Sequence, residues 1–216
     1  TSLGGVLKAD KTLLKSESPY VLGEDGLQVP EGKNLTIEPG VEVHYEHYSS
    51  IVVRGSFNAN GDKDGLIKFI KKYQYKENQY GGVSWGDNMR PMIRIIDTDL
   101  DKSSLSYAVF EGSEATVQEN FRGGEGPGMG SSGSGHTIKQ ASNLTFALKV
   151  DDKHSWNRSP KGNVGTLKIS DCQFKQCGIL IIGAFDNWGN DVPKPTHVDF
   201  IRCDFEKFTV TNNRNE

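Results

Sequence analysis

The sequence predicts an all-β solenoid, and three observations carry that expectation. Helical periodicity is missing: no long stretch places apolar residues at i, i+3, i+4 and i+7. Short alternating apolar runs take its place, punctuated by Gly or Pro. The runs also return at a nearly fixed interval: Leu27 to Ile51 is 24 residues, Leu35 to Phe57 is 22, and Val41 to Ile67 is 26. A period of that size marks a repeat architecture, in which one unit buries its apolar face only by stacking on the next.

The elements follow in chain order. Residues 1–20 are expected to cap the first coil, with Leu3 to Leu14 as the covering stretch. Leu27-Gln28-Val29, Leu35-Thr36-Ile37, Val41-Glu42-Val43, Ile51-Val52-Val53, Phe57-Asn58-Ala59 and Ile67-Lys68-Phe69 are predicted strands, with Pro30, Gly32, Pro39-Gly40, Gly55, Gly61 and Gly65 in the gaps. With three short strands per turn and no helix, the expected closure is a right-handed parallel β-helix. Backbone groups then pair between coils, and every second side chain enters a narrow core. Ile51 and Val53 are expected to stack on Leu27 and Val29. A leucine-rich repeat would need its Leu-x-x-Leu-x-Leu-x-x-Asn pattern, which the chain lacks.

The second half repeats on a longer period. Ile169-Ser170-Asp171-Cys172-Gln173-Phe174 and Phe200-Ile201-Arg202-Cys203-Asp204-Phe205 share an apolar-x-x-small-x-Phe frame, 31 residues apart. Leu105-Ser106-Tyr107-Ala108-Val109-Phe110 fits the same frame, with Ala108 at the cysteine position. The longer offset implies an inserted loop over 186–195. Leu144, Phe146 and Leu148 form another run, as do Ile179 to Ile182. Residues 112–140 break the rhythm with Gly and Ser and are expected to be a loop insertion within a single domain spanning 1–216. The chain begins at Thr1 rather than Met, so it is expected to be processed or to be a segment of a longer chain.

Composition narrows the function. A length of 216 residues is enough for one sizeable core. A net charge of -3 and a pI near 6.0 argue against a nucleic-acid partner, which usually meets a basic face. The apolar stretch around Ile179 to Ile182 is far too short to span a membrane. Collagen is excluded, since the 25 Gly follow no three-residue period.

The first 70 residues carry a longer phrase. Ser18-Pro19-Tyr20-Val21 is followed by Leu27-Gln28-Val29-Pro30-Glu31-Gly32 and by Asn34-Leu35-Thr36-Ile37-Glu38-Pro39-Gly40-Val41-Glu42-Val43. Val53-Arg54-Gly55-Ser56-Phe57-Asn58-Ala59-Asn60-Gly61 then precedes Ile67-Lys68-Phe69. This phrase resembles the opening coils of the pectin-lyase-like right-handed β-helix superfamily. More narrowly, it is similar to β-helix modules of large secreted and surface proteins, including bacterial surface proteins and the bark-beetle (anakonda-type) animal proteins of cell junctions. Residues 3–111 and 165–208 carry the resemblance. It implies a secreted or cell-surface location, but that fold hosts lyases, hydrolases, adhesins and spacers alike.

Candidate chemistry is sparse. On an extended stretch Asp97, Asp99 and Asp101 would share one face, and calcium takes several oxygen ligands, so these are the candidate calcium ligands. A solvated turn is the plainer reading, and no other cofactor is expected. A β-elimination site needs a base beside carboxylates, and Arg90, Arg94 and Lys102 lie near this cluster. A hydrolase needs paired carboxylates at set separations; Asp171, Asp204 and Asp151-Asp152 are the options, without a diagnostic arrangement. His44 and His47 fall on opposite faces of a strand, against a zinc site. Trp85, Trp156 and Trp188 are candidate glycan or partner contacts, with packing an equal explanation. Asn34-Leu35-Thr36 and Asn143-Leu144-Thr145 are glycosylation sequons. Three cysteines are too few for a disulfide scaffold. Cys172 and Cys203 are expected as small core residues stacked in adjacent coils, about 4.8 Å apart, with a disulfide open to them in an oxidising compartment. The sequence therefore favours an extracellular structural or adhesion module that contacts proteins or glycans, or assembles with other subunits or further modules of its parent chain. The alternative is a carbohydrate-active enzyme, a polysaccharide lyase or glycoside hydrolase.

Overall fold

The computed structural model describes residues 1–46, 49–72, 91–112, 146–151, 163–182, 197–206 and 210–212. Strand β1 (Ser2–Val6) comes first, then β2 (Lys11–Leu13) and the long β3 (Tyr20–Val29). Sets of three follow. They are β4 (Asn34–Ile37), β5 (Glu42–Tyr45) and β6 (Ile51–Val53); then β7 (Ser56–Asn60), β8 (Ile67–Lys71) and β9 (Ile93–Ile96). Next come β10 (Ser104–Ser106), β11 (Ala108–Glu111) and β12 (Phe146–Asp151), then β13 (Thr166–Ser170), β14 (Gln173–Lys175) and β15 (Gly178–Ile182). The last set is β16 (His197–Ile201), β17 (Asp204–Glu206) and β18 (Val210–Asn212).

Pairing follows the sets. Strands β2, β4, β7, β10, β13 and β16 form one six-stranded sheet, adjacent in that order. The second sheet has two arms that meet at β3: β5, β8, β11, β14 and β17 run from its first half, and β6, β9, β12, β15 and β18 from its second. From β4 onward each strand therefore pairs in parallel with the third strand after it. The protein is all-β, with parallel sheets curled into a solenoid-like half-barrel. The 24-residue return seen in the sequence is the register of β3 on β6, with Leu27 opposite Ile51 and Val29 opposite Val53.

Alternation explains why such short strands suffice. In β4, β5, β6 and β9 every second residue is buried, and these residues are stacked from coil to coil. One column runs Leu13, Ile37, Ala59, Leu105, Ile169, all buried. Another runs Tyr20, Val43, Phe69, Phe110, Phe174, also buried. Phe69, Phe110 and Phe174 stack nearly parallel, with ring centroids 4.7 and 5.1 Å apart. A fully buried side chain of this size contributes roughly 1.5–3 kcal/mol relative to leaving it exposed. Alternation is interrupted in β3, where Glu24 and Asp25 are both exposed at the bend between its two halves, and in β11, where Ala108, Val109 and Phe110 are all buried.

The N-terminal segment lies along the first coil. Strand β1 pairs in parallel with both halves of β3, through Leu3 on Leu22 and Gly5 on Leu27. Leu3 is buried there. The terminal amine of Thr1 donates to the Pro19 carbonyl at 2.7 Å, and the Tyr20 hydroxyl accepts from the Leu14 N–H at 2.8 Å.

Two residues on β5 yield predictions. The Tyr45 hydroxyl is buried and finds no hydrogen-bond partner among the described residues. An unsatisfied buried hydroxyl costs about 1–3 kcal/mol, so Tyr45→Phe is expected to raise stability by about 1 kcal/mol, read as a higher denaturant midpoint. A lowered midpoint would show that the hydroxyl has a partner. On the outer face, Glu42 accepts from Lys68 Nζ at 2.8 Å and lies 3.2 Å from His44 Nε2. Hydrogen bonds from Lys68 and then His44 hold the Glu42 carboxyl below its ordinary value. A depressed carboxyl contributes stability above its unfolded value, about 4.3, and loses it as pH falls through the folded value. Solvent screening keeps the effect small. Glu42→Gln is expected to flatten the acid limb of stability below about pH 5, measured by denaturation at a series of pH values; an unchanged limb would rule the pair out as a contributor.

Candidate functional site: the open coil end

The columns that are buried in every earlier coil surface in the last one. Phe200 extends the column above Ile169 and is 36 % exposed; Phe205 extends the column above Phe174 and is 42 % exposed. Beside them Ile201 is 40 % exposed. Phe205 still stacks on Phe174 at 5.2 Å and meets Phe200 edge to face at 5.7 Å. Alternation places these rings inward; among the described residues no further strand is stacked on them. Strands β16, β17 and β18 pair with β13, β14 and β15 on one side and, among the described residues, with nothing on the other. The face therefore combines open strand edges with an aromatic cluster, a surface suited to docking another layer rather than to chemistry on a small molecule.

One corner holds this end together. The chain turns from β10 to β11, β13 to β14 and β16 to β17 through a single left-handed residue: Tyr107, Asp171 and Arg202, at φ 48, 54 and 50°. The Asp171 N–H donates to the Ile201 carbonyl and the Asp204 N–H to the Cys172 carbonyl, both at 2.9 Å. Arg202 grips Asp171 with two hydrogen bonds, Nε to Oδ1 at 2.6 Å and Nη2 to Oδ2 at 2.7 Å. That guanidinium holds the Asp171 carboxyl below its ordinary value. Sequence reasoning missed the pair, although the signal was present: opposite charges occupy the same place in two copies of the repeated frame.

The predicted site residues fall elsewhere. Asp97, Asp99 and Asp101 do not lie on one extended face. Asp97 is left-handed at φ 55°, and Asp99 opens a 3-10 turn, Leu100–Lys102. Asp99 accepts from the Asp101 N–H at 3.2 Å and pairs with Lys102 Nζ at 3.3 Å, while Asp101 accepts from the Thr166 N–H at 3.0 Å. These carboxylates tie the turn to the next coil. No group of three or more His, Cys, Asp or Glu among the described residues comes together as a cation site. Asn34 sits in a ladder of side chains on β4 and β7: its Nδ2 donates to Thr36 Oγ1 at 2.7 Å, and its Oδ1 accepts from Ser56 and Asn58 at 2.8 and 2.9 Å. Cys172 is buried and Cys203 half-buried one coil on; both are free thiols. Arg94 and Lys102 are described, whereas Arg90, His47, Asn143, Trp85, Trp156, Trp188, Asp152 and the insertion from residue 113 onward lie outside the described residues.

Fold and site together define an all-β, solenoid-like protein of stacked parallel strands with an open aromatic end. The chain is similar to Protein bark beetle of Drosophila melanogaster, with 33 % identity over 119 residues. The match covers 55 % of this chain and 4 % of that protein's length. No family model matches the chain, and no solved structure does. Among the described residues no helix is long and apolar enough to cross a membrane.

Proposed function

We propose that the chain is a segment of a right-handed parallel β-helix, serving as a structural and adhesive module of a large secreted or cell-surface protein. The observation that carries this reading is the exposure of Phe200 and Phe205 at positions buried in every earlier coil. The occupant we assign to that face is a further coil of the same parent chain. The open edges of β16, β17 and β18 offer the same parallel register that joins the earlier sets, and the bark beetle protein is far longer than the segment it shares. The resemblance to modules of secreted and surface proteins supports the location. Of the carboxylates named for the enzymatic alternative, Asp171 is taken up by Arg202, and Asp99 and Asp101 brace a turn.

Sedimentation and amide hydrogen exchange test the reading on two chains, the 216-residue segment and the same segment extended by the sequence that follows it in its parent protein. The segment alone is expected to self-associate with rising concentration and to exchange rapidly over β16 and β17. The extension is expected to suppress both. A segment that stays monomeric at high concentration with β16 and β17 already protected would defeat the proposal.

A further inference from the structure

The two cysteines of the repeated frame are neighbours along the solenoid axis. Ser170 pairs with Ile201 and Gln173 with Asp204, with two residues between in each chain, so Cys172 lies directly beside Cys203. Residues opposed in paired strands have Cα atoms about 4.8 Å apart, within the roughly 4.4–6.8 Å that a disulfide spans. Both side chains take the same direction. The Cys172 thiol reaches the Leu105 carbonyl of the preceding coil at 3.9 Å, and the Cys203 thiol the equivalent Ile169 carbonyl at 3.5 Å. The Asp171–Arg202 ion pair and the Asp204-to-Cys172 backbone bond fix the register on either side. In the 216-residue segment Cys203 is half-buried and open to a reagent, while Cys172 lies buried beneath it.

We propose that Cys172 and Cys203 form an oxidisable pair, a disulfide site that fastens the last coil to the one before it. The oxidant is a small disulfide such as oxidised glutathione. The Cys203 thiolate attacks it, breaking its S–S bond and releasing one glutathione thiol. The Cys172 sulfur then attacks the Cys203 mixed disulfide and expels the second glutathione. The two cysteine protons end on the two glutathione thiols, and one S–S bond replaces another. Burial pushes the Cys172 thiol up to about 12, so closure is the slow step and quickens about tenfold per pH unit near neutrality. Cys177 is the internal control: it is buried beyond β14, with its thiol directed to the Phe110 carbonyl.

The test is to incubate the folded 216-residue chain with oxidised glutathione and map its thiols by intact-mass and peptide mass spectrometry. The expected product has lost two hydrogens, links Cys172 to Cys203, keeps Cys177 free, and melts roughly 5–10 °C higher until dithiothreitol reverses it. Cys177→Ser should behave the same way, and Cys203→Ser should yield no cross-link. A lasting glutathione adduct on Cys203, or a cross-link formed only in denaturant, would overturn the proposal.

Discussion

Replacing Phe110 with alanine is expected to cost about 4 kcal/mol, the middle of the range for a large aromatic removed from a rigid core. Phe110 is fully buried between Phe69 and Phe174, with centroids 4.7 and 5.1 Å away. Its neighbours lie on strands tied into the sheet on both sides, β8 and β14. They cannot close the gap without breaking a ladder, so the cavity persists and the stacking is lost on both faces. Phe110→Leu keeps much of the volume and is expected to cost less than half as much. Denaturant unfolding of the two variants beside the parent measures both. A Phe110→Ala loss below about 1 kcal/mol would mean that the column is not a continuous core.

Gly55→Ala is expected to cost about 3 kcal/mol or to prevent folding, for a different reason. Gly55 is tucked against the Pro30–Lys33 turn of the previous coil. An added Cβ would collide with the carbonyl oxygens of Lys33 and Pro30. Both partners are backbone and both are committed: the Pro30 carbonyl accepts from the Lys33 N–H at 3.1 Å, and the Lys33 carbonyl from the Ser56 N–H at 2.9 Å. From the following coil, Thr98 Oγ1 donates to the Gly55 carbonyl, so the residue is clamped on two sides. Gly32→Ala is the comparison. Gly32 has φ 75° with nothing near its missing Cβ, so only the left-handed penalty applies, about 1 kcal/mol. If Gly55→Ala costs no more than Gly32→Ala, close packing between coils is not what requires the glycine.

Strand β9 (Ile93–Ile96) was not read from the sequence, but the strand positions near Leu27 to Phe69, the coil period and the inward columns were. Each depends on alternation along one short run, and a parallel stack repeats that alternation without shifting it. The frame linking Leu105–Phe110, Ile169–Phe174 and Phe200–Phe205 became register pairs for this reason. The aspartate cluster was read on the premise of an extended backbone. A 3-10 turn held by Val164 and Thr166 of the next coil replaced it, and that contact is remote in sequence. The left-handed corners at Tyr107, Asp171 and Arg202 were equally hidden, since Tyr and Arg carry no positive-φ signal and Asp a far weaker one than glycine. Which apolar positions are covered is a property of the stack rather than of the strand. Phe174 and Phe205 occupy the same place in the same pattern, yet one is buried and the other 42 % exposed. Burial of a solenoid residue depends on the coil above it as much as on its own strand, and a local pattern carries no information about that next layer.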